Sequence, residues 1–190
     1  MRLFVAIALP DEIRERLSAL QSGLPGARWV AEENLHLTLR FIGEVDGRQA
    51  QDIDAALTGV QTPSFSVALA GLDSFSAGPK IRSLWARVEP NEPLKRLQAK
   101  IEQAVQRAGA PPEGRKFKPH VTLARFNGGN PGARVCDYLA LNGLFRAPPF
   151  EVTEFVLFSS FLSQSGAIYR AEAQYSLSHA LPSGEAVTAN

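Results

Sequence analysis

Apolar and polar residues alternate along this chain in two rhythms, and the switches between them mark out strands and helices. Arg2–Leu9 is an apolar, β-rich run, and Pro10-Asp11-Glu12 after it is a helix start. Ile13, Leu17 and Leu20 then recur at helical spacing until Gly23 and Pro25 stop the pattern. Asn34–Ile42 reads as a strand closed by Gly43, followed by a helix over about Arg48–Leu57 and strands near Phe65–Leu69 and Ser83–Val88. Pro93 opens a helix carrying Leu94, Leu97, Ile101 and Val105, which Gly109 and Pro111-Pro112 terminate. A strand at His120–Phe126, a short helix around Arg134–Leu141, and strands near Phe150–Phe158 and Ile168–Ser176 complete the pattern. Ala77–Lys80, Ala108–Lys118, Asn127–Gly132 and the polar tail after Leu177 are expected to be the flexible stretches.

Each half thus offers a helix, a strand, a second helix and two further strands. Identity between the halves is confined to one place, where His36-Leu37-Thr38-Leu39-Arg40-Phe41 echoes His120-Val121-Thr122-Leu123-Ala124-Arg125-Phe126. That echo suggests a pseudo-symmetric duplication. In a strand, residues two apart share a face, so His36 and Thr38 point one way while Leu35, Leu37 and Leu39 point into an apolar layer. His120 and Thr122 share a face in the same manner, with Val121 and Leu123 behind them.

The chain holds three histidines, and two of them carry a threonine two positions on. Two facing imidazoles suit the opening of a cyclic phosphodiester. One, unprotonated, takes a proton from the attacking water, and the other, protonated, gives one to the departing ribose oxygen. Threonine hydroxyls can donate to the non-bridging phosphate oxygens, where charge concentrates. The motif is nearly symmetric, so the residues alone do not say which histidine is acid and which is base. No metal or cofactor is required by this scheme, and no His-Glu-x-x-His spacing is present.

Composition narrows the partners. Of 190 residues, 45% are hydrophobic and 21% charged, and the net charge is +1. A broad phosphate-tracking surface needs many cations, so any RNA contact is local, at an end or a nucleotide. Cys136 is the lone cysteine, which excludes an internal disulfide and a cysteine-based zinc site and fits a cytoplasmic protein. The apolar N-terminus is short and lacks a small-residue cleavage site, so it reads as a strand rather than a signal peptide. No apolar run approaches a membrane span of about 18 residues. The glycines between Gly71 and Gly78 form no phosphate loop.

His36-Leu37-Thr38-Leu39 and His120-Val121-Thr122-Leu123 resemble the paired motifs of the 2H phosphoesterase superfamily. Asn34–Val45, the opening Arg2–Ile7 and the approach Phe117-Lys118-Pro119-His120 are similar to its bacterial and archaeal RNA 2′,3′-cyclic phosphodiesterase branch. The resemblance covers residues 1–177 and implies a single bilobal α+β domain. Its two pseudo-symmetric lobes would have antiparallel β-sheets lining a central cleft and helices outside, with 178–190 as a disordered tail. It also implies metal-independent hydrolysis of RNA or nucleoside 2′,3′-cyclic phosphates to 2′-phosphomonoesters. His36 would be the proton donor and His120 the acceptor, with Thr38 and Thr122 as the paired hydroxyls. The expected partners are RNA ends or nucleotides bearing the cyclic phosphate, with no protein partner for a monomer. The alternatives are 2′-5′ RNA ligation at the same centre and a binding module without turnover.

Four further residues are candidate substrate contacts. Arg125 lies five after His120, so alternation puts it on the opposite face unless the strand bends; it is read as a phosphate contact against a plain surface charge. Arg40, four after His36, shares the catalytic face by parity and is a second candidate for phosphate. Phe41 and Phe126 are candidates for stacking on a base, against the reading of core packing that also covers Trp85 and Tyr169. Arg115-Lys116-Lys118 could steer an RNA end, and His179 reads as an idle, solvated imidazole.

Overall fold

A computed structural model describes residues 1–78, 80–127, 132–163 and 166–178. The expected tail beyond Ser178 with His179, most of the Asn127–Gly132 loop and Pro79 lie outside the described residues.

The fold is α+β. In chain order its strands are β1 (Arg2–Ala8), β2 (Arg28–Trp29), β3 (His36–Glu44), β4 (Phe65–Val67), β5 (Leu69–Ala77), β6 (Lys80–Val88), β7 (His120–Arg125), β8 (Phe150–Val152), β9 (Glu154–Ser163) and β10 (Gly166–Ser176). The helices are α1 (Asp11–Ser18), α2 (Gly47–Thr58), α3 (Glu92–Arg107) and α4 (Gly132–Leu141), with a 3-10 turn at Glu32–Asn34. None of the described helices is long and apolar enough to cross a membrane.

The expected pair of sheets is one continuous sheet of eight strands, ordered β10-β9-β1-β3-β7-β6-β5, with β2 paired to β7. Its two halves meet where β3 runs antiparallel to β7, and there Leu37 pairs with Val121. Each half-sheet draws strands from both halves of the chain. β9 and β10 complete the side that holds β1 and β3, while β5 and β6 complete the side that holds β7. A separate two-stranded sheet joins β4 to β8.

One face of the large sheet buries Leu3, Val5, Ile7, Leu37, Leu39, Leu84, Val121 and Leu123 against the helices. α3 brings Leu94, Leu97, Ile101, Ala104 and Val105 to that layer, and Asn91 caps it by accepting from the Leu94 amide. Each Leu or Ile buried this way contributes about 1.5–3 kcal/mol. α2 adds Ile53 and Leu57 and is capped by Asp46.

Several expectations from the sequence shift here. Gly43 does not close β3; at φ 95° it absorbs a register slip against β1 and the strand runs on to Glu44. The single strands expected at Phe65–Leu69 and Phe150–Phe158 are each split, because β4 and β8 leave the main sheet to pair with each other. The 108–118 loop is tied to α3 and β3, with the Glu113 amide donating to Glu102 at 2.9 Å and an Arg40 N–H donating to the Pro111 carbonyl. The chain also stays anchored one residue beyond Leu177, where the Ser178 amide donates to the Thr62 carbonyl at 3.0 Å.

Candidate active site

His36 opens β3 and His120 opens β7. Leu37 and Val121, the pair at the junction, are fully buried in the helix-side core. Alternation therefore turns His36, Thr38, His120 and Thr122 to the opposite, open face. Counting outward from that pair, His36 lies across from Thr122 and Thr38 across from His120. The result is a local two-fold arrangement of two imidazoles and two hydroxyls.

Both imidazoles are held in the same way. Nδ1 of His36 is 2.7 Å from the Asn34 carbonyl, and Nδ1 of His120 is 2.6 Å from the Lys118 carbonyl. A carbonyl only accepts, so Nδ1 carries the hydrogen in each ring and Nε2 is left for chemistry. Aromatic rings fix the remaining freedom. His36 packs on Phe4 at 5.0 Å and meets Tyr169 edge-on at 5.3 Å. His120 meets Phe75 edge-on at 4.9 Å and Trp85 at 5.5 Å. Phe158 stacks behind Phe4 as Trp85 stacks behind Phe75. The Lys118 ammonium sits 4.5 Å from the Trp85 ring centre, a cation–π contact beside His120.

Burial lowers the pKa of His36 below its ordinary value, and the charges of Arg125 and His120 lower it further, against a raising hydrogen bond to Asn34. Burial likewise lowers that of His120, with Arg125 and Lys118 adding to it against the Lys118 carbonyl. Arg125 thus acts on both imidazoles, and His36 feels His120, so these three groups share one electrostatic site.

A bulge explains how Arg125 reaches that site. Leu84 pairs with Ala124 but Trp85 pairs with Thr122, so Leu123 is an extra residue in β7. Leu123 and Ala124 both turn inward, and Arg125 emerges, exposed, on the face of His120. β3 carries the same irregularity: Val5 faces Arg40 and Ala6 faces Thr38, which leaves Leu39 extra. The same shift corrects the parity expectation for Arg40. Its side chain is 5% exposed on the helix side, where it pairs with Glu102, lies 3.9 Å from Glu113 and donates to the Phe41 and Pro111 carbonyls. A buried guanidinium needs such partners, and none of them is on the cleft. Phe41 takes the surface position that parity had given Arg40; it is 47% exposed and 6.0 Å from Phe4. Phe126 is also corrected, being 4% exposed and part of the helix-side core, so it is no platform for a base. Arg115 is engaged by Glu113 at 3.1 Å. Among the described residues, no three His, Cys, Asp or Glu side chains gather as a metal site would need.

Sequence reasoning missed Phe4, Phe75 and Phe158 as the rings that seat the histidines. The signal for one of them lay in β1, where Phe4 stands between Arg2, Ala6 and Ala8 as the sole large apolar residue on its face. The carbonyl anchors at Asn34 and Lys118 leave no side-chain signal.

Known proteins share this arrangement of strands. Residues 9–161 match the model of the 2′-5′ RNA ligase superfamily. The chain belongs to that superfamily. It is 32% identical to the RNA 2′,3′-cyclic phosphodiesterase of Archaeoglobus fulgidus, over 90% of this chain and 97% of the relative. It is 30% identical to the Escherichia coli protein of the same name, over 88% of this chain and 92% of the relative. Two solved structures of similar shape are a Thermus thermophilus protein and E. coli LigT complexed with 3′-AMP. The first superposes with TM-score 0.79 at 27% identity, covering 94% of this chain and 99% of the other. The second has TM-score 0.74 at 28% identity, covering 93% and 97%.

Proposed function

We propose that this protein hydrolyses 2′,3′-cyclic phosphates on RNA ends or nucleotides, leaving a 2′-phosphomonoester, by acid–base catalysis between His36 and His120. The supporting observation is the two-fold pair of imidazoles, each with Nδ1 committed to a carbonyl and each standing across the β3–β7 junction from a threonine of the other motif. In this reading His120 Nε2 takes the proton of a water as its oxygen attacks phosphorus. The bond from phosphorus to O3′ breaks, and His36 Nε2–H gives its proton to that oxygen. Thr38 and Thr122 donate to the non-bridging oxygens, and Arg125 balances their growing charge. The residues required are the chain's own, without a resident metal or cofactor.

Lowered pKa values keep the free site poor in protons, which suits the base and not the acid. The substrate resolves this conflict. A phosphodiester anion between the rings favours the charged imidazolium and draws one proton into the pair. The protein works as a cytoplasmic monomer in this reading, since one chain supplies both motifs.

Ring opening of a 2′,3′-cyclic nucleotide in EDTA, with the product identified by phosphorus NMR, tests the proposal. A 2′-phosphomonoester is expected; no opening, a strict need for added metal, or a 3′-phosphomonoester would overturn it. The superfamily's name favours a second activity at the same centre, in which an RNA 5′-hydroxyl replaces water as the attacking group and a 2′-5′ linkage forms. Dilution in water makes hydrolysis the dominant direction.

A further inference from the structure

The strands that carry the two histidines are alike in geometry, so a group beside them has to separate acid from base. The difference lies two residues before each histidine. Asn34 and Lys118 give the carbonyls that hold the two rings, but their side chains differ in charge. The Asn34 amide is neutral and donates to the Ala167 carbonyl at 2.8 Å. The Lys118 ammonium lies 4.5 Å from the centre of the Trp85 ring and 5.0 Å from that of Phe75. Those same rings flank the His120 imidazole, at 5.5 and 4.9 Å. A flexible chain is thus held with its charge over the rings that seat His120.

The other charges nearby do not supply this difference. Arg125, on β7, acts on both imidazoles. Arg87, paired with His120 across β6, donates to the Leu72 carbonyl at 3.2 Å and is so drawn over β5. Asp73, paired with Trp85 on β5, accepts from the Ser74 amide at 2.7 Å. Arg14 and Glu33, of opposite charge, line a cavity together with His36. We propose that Lys118 places the single proton of the pair, its charge keeping that proton off His120 and leaving it on His36. The residue acts through His120 and positions a proton; it touches no reacting atom. In support, Lys118 adds to the lowering of the His120 pKa, whereas the charges that lower His36 are those of Arg125 and His120 itself. A residue outside the doubled motif thereby breaks its symmetry.

The inference rests on the hydrolytic reading above, and the test separates the two. Lys118→Met removes the charge but keeps the backbone carbonyl and an apolar chain over the rings. Opening of 2′,3′-cyclic AMP is followed along both limbs of the pH profile in wild type and variant. The active form carries one proton, on His36, so an easier protonation of His120 competes on the acidic limb. There kcat/KM is expected to fall roughly 2- to 5-fold, the weight of one exposed charge on its neighbour. The basic limb should be unchanged, because the competing form there holds no proton. Lys118→Arg, which keeps the charge, should restore the wild-type profile. An equal fall at every pH would make Lys118 a substrate contact or a structural residue and overturn the proposal. A gain on the basic limb would reverse the two histidines and overturn it too, as would an unchanged profile. Should neither protein open the ester, the hydrolytic reading falls, and NMR titration of the imidazoles in wild type and Lys118→Met still decides. A midpoint that rises more for His120 than for His36 upholds the role of Lys118, and equal shifts overturn it.

Discussion

β3 and β7 are two versions of one device, and where they diverge shows how a symmetric pair acquires different ends. Both begin with histidine, place threonine two residues on, and bulge at a leucine three residues after the histidine. After the bulge β3 continues Arg40-Phe41 and β7 continues Ala124-Arg125. The inward position holds a charged clamp in one strand and a methyl group in the other. The outward position holds an apolar ring in one and a guanidinium in the other. Identical backbone irregularity thus delivers a charge to the open face in β7, and to the helix-side core in β3.

The histidines offer the largest effect by which to break that comparison. His36→Ala and His120→Ala should each lower kcat by about 10²- to 10⁴-fold, with thermal unfolding little changed. A variant that kept near-normal turnover would show that the two strands are not equivalent partners. Next comes Arg40→Ala, which strands Glu102 in a largely buried setting. It should destabilise the fold by about 3–5 kcal/mol, as removal of one member of a buried ion pair does. Arg125→Ala should do the opposite: little loss of stability in urea unfolding, but a fall in kcat/KM of roughly 10- to 100-fold, or about 1.4–2.8 kcal/mol. If Arg40→Ala and Arg125→Ala behaved alike, the bulges would not have sorted these side chains as described.

The smallest effect is the response to pH. Both imidazoles have folded pKa values below the ordinary 6.5, so below that pH the unfolded chain takes up protons first. Their contribution to stability is full above about pH 6.5 and declines as pH falls toward the folded values. His36→Ala and His120→Ala should each flatten that decline in urea titrations between pH 7 and 5. The same shifts put the optimum of kcat/KM, which reports the free enzyme, at lower pH than the optimum of kcat.

Much of this was legible in the residues. The common face of the two His-x-Thr pairs could be read because a strand period of two leaves few alternatives. Arg40 was placed on the wrong face, and Arg125 reached the cleft face only through the allowance for a bend, for one reason: a bulge changes the count by one, and neither Leu39 nor Leu123 differs in type from an ordinary strand leucine. Gly43 looked like a stop because glycine ends many strands; its positive φ here serves continuation. Phe126 resembled Phe41 by position in the aligned motifs, but β7 ends at Arg125 and its following residue turns into the core. The small β4–β8 sheet was invisible because each of its strands runs almost without pause into the next.

The exchange of strands across the junction bears on how this protein can be taken apart. A chain ending near residue 150 would contain both histidines and both threonines, yet it would lack Glu154–Ser176, the strands that flank β1 on its open side. Phe158 and Tyr169, which steady His36 and its neighbour Phe4, would be missing with them. Possession of both His-x-Thr pairs therefore does not complete the surroundings of His36. The last hairpin supplies them, so the large sheet cannot be shared out between the two halves of the chain.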